Sequence, residues 1–132
     1  MRCVKFSKTQ FRKIWNEAKK LAKLNGREVC GLILDNGSFF ELIQTRNKAK
    51  RGGGFSFYFG EVRAIRKLSC LRGREIVGTF HSHPVGLPDP GPSDLRHAVD
   101  DSLMLIFDVT GRTARLWRVK RESAKRLQFS LI

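Results

Sequence analysis

The residues EIVGTFHSHP, at positions 75–84, decide what kind of fold this sequence can form. Their first six residues are rich in β-branched and aromatic side chains, which predicts a strand. Pro84 cannot donate a hydrogen bond to a neighbouring strand, so the strand should end there. His81 and His83 are two residues apart in extended chain and therefore point to the same side. The pattern places two imidazoles together at the end of a strand.

The chain around this strand has 132 residues, of which 41% are hydrophobic, and this predicts a single folded domain over 1–132. No run approaches the ~20 apolar residues that cross a bilayer, and the N-terminus has no apolar run typical of a secretory signal. We therefore expect a cytoplasmic protein. The chain has three cysteines, Cys3, Cys30 and Cys70. Their odd number and wide spacing provide neither a disulfide framework nor a cysteine zinc site.

Before residue 75, the patterns alternate between helix and strand. Ser7 can cap a helix that Gly26 ends, and Asn36-Gly37 lies between two apolar runs, which is typical of a hairpin. Residues 47–54, NKAKRGGG, are a basic glycine-rich loop that we interpret as flexible, because no G-K-[ST] motif follows. Phe55–Phe59 is predicted as a strand. Residues 61–71 are predicted as a helix whose inner face carries Ala64, Leu68 and Leu71.

After the histidines, a proline- and glycine-rich loop leads to Ser93, which can cap a short helix ending near Asp100. Two further strands are expected over 103–109 and 113–119, and the tail can add one edge strand. The whole pattern predicts an α/β (α+β) domain with a mixed central β-sheet flanked by helices.

The two histidines supply half of a tetrahedral zinc site, and a catalytic zinc needs a third protein ligand and an open position. Asp94, at the start of the predicted helix, is the better candidate. Asp89 competes, but it lies between two prolines with less to hold its carboxylate. A simpler interpretation has Ser93 as N-cap and Asp94 favouring the helix dipole, and both interpretations can hold together.

The residues Glu28-Val29-Cys30-Gly31-Leu32, then His81-Ser82-His83-Pro84, then Asp94 resemble the JAMM signature, E-x(n)-H-[ST]-H-P-x(9)-D. The resemblance extends over essentially the whole chain, and it implies an MPN domain with a cytidine-deaminase-like fold. By that resemblance, His81, His83 and Asp94 are the ligands of one Zn²⁺ per chain. Glu28 is the general base that activates the zinc-bound water.

One position departs from the family pattern. Family members usually have a serine three residues before the aspartate, and this chain has Gly91 there. Ser93 can be displaced into the catalytic role of that serine, a backbone N–H can replace it, or the oxyanion hole is weaker. Losing one such donor costs roughly 10²–10³ in rate. His97, one helical turn after Asp94, is expected to be a surface or packing residue rather than a neighbour of the metal.

The family resemblance implies a zinc isopeptidase or peptidase that releases ubiquitin-like or sulfur-carrier proteins after their C-terminal Gly-Gly. Two other interpretations remain: a catalytically weak or inactive MPN scaffold, and a basic nucleic-acid-associated protein like the RadC relatives. The formal net charge of +14 suits an acidic protein partner. No nucleic-acid-binding motif is present, so nucleic acid is not the expected partner, and neither is a membrane. A homodimer is one option for the oligomeric state.

Overall fold

The computed structural model describes residues 4–49 and 54–132, and these form a mixed sheet with helices against it. The elements in chain order are β1 (Val4–Phe6), α1 (Lys8–Asn25), β2 (Cys30–Asp35), β3 (Phe40–Thr45), α2 (Phe59–Leu71), β4 (Glu75–His83), α3 (Pro92–His97), β5 (Ser102–Asp108), β6 (Thr113–Lys120), β7 (Ser123–Leu127) and β8 (Phe129–Leu131). The predicted fold class, a central mixed sheet flanked by helices, is confirmed.

Helix α1 begins and ends where the sequence predicts. The Ser7 hydroxyl accepts a hydrogen bond from the Gln10 N–H at 3.3 Å, and it satisfies one of the backbone donors left free at the first turn. Gly26 ends the helix in the left-handed region, at φ 67°, where glycine has no steric penalty. The helix buries Ile14 and Ala18 against the sheet.

The predicted hairpin around Asn36-Gly37 is also confirmed, since β2 and β3 pair antiparallel from Cys30–Thr45 to Asp35–Phe40. The sheet order is β7-β6-β5-β4-β2-β3-β1-β8, which places β4 and β2 next to each other near its centre. Gly31 is paired with Phe80, and a Cβ on Gly31 would collide with that ring and with the Ile43 carbonyl oxygen. Glycine at this position therefore lets β2 pack closely against β4 and β3.

The two faces of the sheet carry different clusters. The face under α1 holds the larger core, which includes Phe6, Phe80, Leu105 and Phe107. The opposite face holds Met104, Ile106 and Val119, with Leu95 of α3 against them. Because neighbouring residues along a strand alternate between faces, His81 lies on the second face, beside its lateral partner Ile106.

The sheet also curls around α1. Strands β7 and β8 occupy its two opposite edges, yet Gln128 alone separates them in sequence. Since consecutive Cα atoms are about 3.8 Å apart, the two edges must approach each other at this corner. Leu127 and Phe129, on either side of the corner, both pack against the core under α1. The predicted tail strand is therefore present as two strands, one at each edge.

Two predictions between β3 and β4 are wrong. Residues 54–58 are irregular, not a strand, and α2 begins at Phe59. Ala64, Leu68 and Leu71 do not face the sheet: all three are exposed, and Leu71 is 78% accessible. The helix turns Val62, Ile65 and Ser69 inward instead.

Some predictions cannot be compared with the structure. Residues 50–53 of the glycine-rich loop lie outside the described residues, as does Cys3. Among the residues that are described, no helix is long and apolar enough to cross a membrane.

Candidate metal centre

The end of β4 brings His81 and His83 together on one side of the strand. Their Nε2 atoms are 3.1 Å apart, and the His81 side chain is fully buried. Nδ1 of His83 lies 2.7 Å from the Leu87 carbonyl oxygen, so it donates there, and Nε2 is the ring nitrogen that faces His81. Pro84 follows directly, and its missing N–H ends the strand at the site, as the sequence predicts.

Helix α3 brings Asp94 to the same point. Its Oδ2 lies 3.4 Å from Nε2 of His81 and 3.7 Å from Nε2 of His83. The Gly91 N–H donates to the same oxygen at 2.9 Å and fixes the carboxylate. Burial alone would raise the pKa of Asp94, but hydrogen bonds with His81 and His83 outweigh burial and hold that pKa well below its ordinary value. The hydrogen bond to Asp94 raises the pKa of His83 in turn.

Glu28 faces this group from the neighbouring strand. It lies just before β2, and the pairing of Cys30 with His81 brings it alongside the end of β4. Ligand atoms of Glu28, His81 and His83 all lie within 4.8 Å of one another. The Gly54 N–H donates to Oε2 of Glu28. Burial raises the pKa of Glu28, although His81 and the Gly54 N–H act in the opposite direction.

These donors fit a catalytic zinc ion. The three atoms of His81, His83 and Asp94 form a triangle with sides of 3.1, 3.4 and 3.7 Å. A tetrahedron with zinc–ligand bonds of about 2.0–2.1 Å has edges of about 3.3–3.4 Å. Two imidazole nitrogens and one carboxylate oxygen are also a donor set that catalytic zinc takes. Glu28 lies beside this triangle, where it can contact a fourth ligand.

Ser82 joins the strands that carry these groups. Its side chain is buried, and its Oγ accepts from the Val29 N–H at 2.9 Å. The Ser82 N–H donates to the Val29 carbonyl oxygen at 3.0 Å. Both bonds lock the residue after Glu28 to the residue between the histidines, so Ser82 has a structural role here.

Asn47 is a site residue that the sequence did not reveal. Its Nδ2 donates to the carbonyl oxygens of Glu28 and Gly54, both at 3.1 Å. Its Oδ1 accepts from the N–H groups of Ala49 and Ser56, at 2.9 and 3.1 Å. All four hydrogen-bonding positions of the amide are therefore used. Asn47 thus connects the backbone of Glu28 to the segment that holds the Glu28 carboxylate.

Phe55 covers the other side of the site. Its ring stacks on the His81 imidazole, with centroids 4.5 Å apart and planes inclined by 24°. Phe57 packs edge-on against Phe55. Nδ1 of His81 is buried and has no hydrogen-bond partner within residues 4–49 and 54–132, so Nε2 is the ring nitrogen that faces the other donors. The Phe55 stack fixes the plane of the His81 ring.

Other candidates do not join the cluster. Asp89 pairs with Arg115, with 2.7 Å between Oδ1 and the guanidinium nitrogen. The Ser93 Oγ lies 3.4 Å from Nδ1 of His97, and both residues are exposed on α3. The prediction that Ser93 caps this helix is wrong, because Gly91 is the N-cap and Pro92 the first helical residue. The helix also ends at His97, before Asp100.

Gly91 lies at the position where the family pattern has a serine that helps to stabilise the oxyanion of the reaction. The Gly91 N–H is already engaged by Asp94, so this amide is not free to bind a second oxygen. A Cβ at Gly91 would meet the Asp94 carboxylate at 3.7 Å, an ordinary van der Waals distance. The backbone there has φ −79°, which any residue adopts. A serine at this position would therefore fit.

Comparison with known proteins agrees with this geometry. A sequence profile described as prokaryotic homologues of the JAB domain matches residues 8–120. The chain belongs to this JAB/MPN family. A search of curated proteins finds no match.

Several solved structures share the fold. A protein of Desulfitobacterium hafniense, determined in solution, superposes with a TM-score of 0.82 at 20% identity, over 98% of this chain and 92% of that one. A JAB1/MPN domain protein of Archaeoglobus fulgidus gives 0.61 at 17% identity, over 98% and 99%. A structure described as having a metalloprotease-like zinc site in the proteasome and signalosome gives 0.57 at 14% identity, over 99% of both chains.

Proposed function

We propose that this JAB-domain protein is a zinc-dependent isopeptidase or peptidase that cleaves after the C-terminal Gly-Gly of ubiquitin-like or sulfur-carrier proteins. The observation that carries the proposal is the triangle of donor atoms from His81, His83 and Asp94, with the Glu28 carboxylate beside it. The family and the metalloprotease-like zinc site named for one similar structure support the same reaction class.

In this proposal Nε2 of His81, Nε2 of His83 and Oδ2 of Asp94 hold one Zn²⁺. When bound, zinc lowers the pKa of a water ligand from ~15.7 to about 7 and polarises the scissile carbonyl. The low pKa of Asp94 keeps its carboxylate charged across the physiological range. A hydrogen bond from His83 to the Leu87 carbonyl oxygen and one from the Gly91 N–H to Asp94 fix these two side chains before any ligand arrives.

Glu28 is the proposed general base. The Gly54 N–H occupies its Oε2, which leaves Oε1 to accept the proton of the attacking water. Burial raises the pKa of Glu28 and makes its carboxylate a stronger proton acceptor than an exposed one. The same Oε1 can then return the proton to the departing amine. Ser82 and Asn47 hold the backbone around Glu28 in place, so the proposed proton transfers require no movement of that backbone.

The proposed Gly-Gly specificity requires a narrow site beside the donor triangle. Phe55 stacks on His81, and the exposed apolar residues Val85 and Leu87 follow His83 along the chain, so these are the side chains proposed to line it. A site lined in this way would admit glycine and reject larger side chains. The expected cytoplasmic location and acidic protein substrate belong to the same proposal, and the net charge of +14 supports the latter.

The direct test is incubation of zinc-loaded protein with a panel of ubiquitin-like and sulfur-carrier proteins, each fused through its Gly-Gly to a reporter. Matched fusions carry Ala-Ala in place of Gly-Gly. We expect cleavage after Gly-Gly of at least one fusion, abolished by chelator, restored by zinc and absent with Ala-Ala. Cleavage that persists in chelator, or that is equally fast with the Ala-Ala fusions, would overturn the proposal.

One observation favours a second candidate, a metal-binding scaffold with weak or no activity. In the described contacts, the Gly91 N–H is engaged by Asp94 and the Ser93 hydroxyl lies against His97, so neither of these two donors is free to bind an oxyanion. A scaffold would bind zinc and a Gly-Gly protein without cleaving it. Zinc-dependent binding of a fusion that stays intact for hours would select this candidate over the hydrolase.

A further inference from the structure

The outward face of α1 carries an unusual density of positive charge. We define the α1 basic face by its exposed cations, which are Lys8, Arg12, Lys13, Lys19, Lys20 and Lys23. They span 15 residues, or about 22 Å along the helix axis at 1.5 Å per residue. Glu17 is the one acidic residue of the helix. The face is thus a nearly uniform positive strip on a single rigid element.

This charge is not neutralised within the described part of the chain. The ion pairs there between basic side chains and carboxylates use Arg46, Arg74, Arg115 and Arg118, none of which belongs to α1. Lys19 lies over the Trp15 ring, with its Nζ 5.8 Å from the ring centroid, and not beside a carboxylate of the described residues. Like charges four residues apart repel each other, and cations in the first turn oppose the helix dipole. The charge therefore destabilises the isolated helix, and a bound polyanion would relieve that repulsion.

The composition of the face indicates which polyanion it suits. A protein interface needs a buried apolar or aromatic centre, whereas the large exposed apolar residues of α1 and of the groove beside it are Leu24, at the end of the helix, and Ile132, too few to form one. A phosphodiester backbone needs only cations with hydroxyl and amide donors among them. Thr9 and Asn16 supply such donors between the cations. A groove of about 790 Å³ runs here, lined by four of the cations, Thr9, Asn16, Glu17 and Ile132.

The α1 basic face is also separate from the candidate metal centre. Helix α1 packs on the sheet face that carries Phe80 and Phe107, whereas His81 and Ile106 lie on the opposite face. A ligand on the outer side of α1 does not contact the metal donors. Binding at α1 can therefore be lost without loss of zinc.

We propose that the α1 basic face binds the sugar–phosphate backbone of nucleic acid without sequence preference. From the sequence, nucleic acid is an alternative rather than the expected partner, because no recognition motif is present. Backbone binding requires no such motif, since phosphate contacts carry no sequence information. Lysine, which predominates here, suits phosphate as a mobile point charge rather than as a base-reading fork.

The test is fluorescence anisotropy with labelled random-sequence oligonucleotides, single-stranded and duplex, over a salt series from 50 to 300 mM, chosen as roughly the range in which phosphate contacts are lost. The triple variant Arg12→Gln, Lys13→Gln, Lys20→Gln removes three charges from the face. The matched control Arg63→Gln, Arg66→Gln, Lys67→Gln removes three exposed charges from α2. Glutamine favours helix as lysine does, and circular dichroism checks that each variant is folded.

We expect the α1 triple variant to lose about tenfold or more in affinity near 100 mM salt. The slope of log K against log salt is negative, and its magnitude should decrease by about 2–3. The α2 control should lose less than about threefold. The single variants Arg12→Gln and Lys20→Gln should each lower the slope by about 1, which provides a second measurement if the triple variant is unstable.

Three results would overturn the proposal. The first is no binding to any oligonucleotide at 50 mM salt. The second is an equal loss in the α1 and α2 variants, which would mean that the net charge acts without a site. The third is tighter binding to poly-glutamate than to nucleic acid at equal charge, which would indicate an acidic protein as the partner.

Discussion

His81 and His83 lie on a nine-residue strand near the centre of the sheet, whereas the Glu28 carboxylate is held by an irregular segment. The proposed metal-binding half of the site, made of His81, His83 and Asp94, rests on β4 and α3. The base half rests on Glu28, Gly54 and Asn47, which approach one another through loops. The first half is positioned by regular structure, and the second depends on a few hydrogen bonds between residues far apart in sequence. The two halves should therefore respond differently to substitution.

The largest expected effect comes from His83→Ala in the metal-binding half. Loss of a nitrogen donor should reduce zinc affinity by more than the ~10–100-fold that an outer-shell partner is worth. Hydrolysis of a Gly-Gly fusion should fall to the level seen with chelator. His97→Ala is the matched control, because His97 is exposed and away from the cluster, and it should behave like wild type. Hydrolysis retained by His83→Ala would remove this residue from the site.

Glu28→Gln separates the two halves. The amide keeps the size of the side chain and can still accept from the Gly54 N–H, but it cannot take a proton. We expect zinc content to stay unchanged and kcat to fall by about 10²–10⁴-fold, the usual contribution of a general base. Glu75→Gln, at the exposed start of β4, provides the control. Full turnover by Glu28→Gln would contradict the role of Glu28 as base.

Asn47→Ala tests whether the base half depends on its hydrogen bonds. This change removes four hydrogen bonds, three of which connect Glu28 to Gly54 and Ser56, so the carboxylate loses its fixed position. We expect kcat to fall about tenfold, with zinc content and KM almost unchanged. Asn16→Ala, on the outer face of α1, is the matched control. A loss of zinc in Asn47→Ala would mean that the two halves are not independent.

Gly91→Ser should have the smallest effect. The added side chain meets Asp94 at an ordinary distance, and serine is a somewhat better N-cap than glycine. It would also supply the hydroxyl that relatives usually carry at this position. Activity should stay level or rise by up to about tenfold, as measured by kcat/KM. A steep loss would show that the site needs glycine there.

Much of the fold could be read from local patterns. The Ser7 cap, the Gly26 terminus and the Asn36-Gly37 turn each have a mechanism that acts within a few residues, and all three are confirmed. The orientation of α2 could not be read in this way. Two sets of residues in α2 follow helical spacing equally well. One set is Ala64, Leu68 and Leu71, and the other is Val62, Ile65 and Ser69. Packing against β4 selects the second set.

The candidate site divides in the same way. The histidine pair and Asp94 could be located by spacing, because a strand and a helix start fix their positions. Asn47 gave no such signal, since it contacts the Glu28 backbone across 19 residues of chain. The stacking of Phe55 on His81, across 26 residues, could not be read from spacing either. The Gly91 cap did leave a signal, because proline is favoured at the first helical position and Pro92 follows.

The zinc content of purified protein tests the central claim most directly. Measured by mass spectrometry of the metal after dialysis, it should be close to one zinc per chain in wild type and in Glu28→Gln, and close to none in His81→Ala. A wild-type protein that holds well under one zinc per chain, with the same zinc content in His81→Ala, would contradict a metal centre built on these residues.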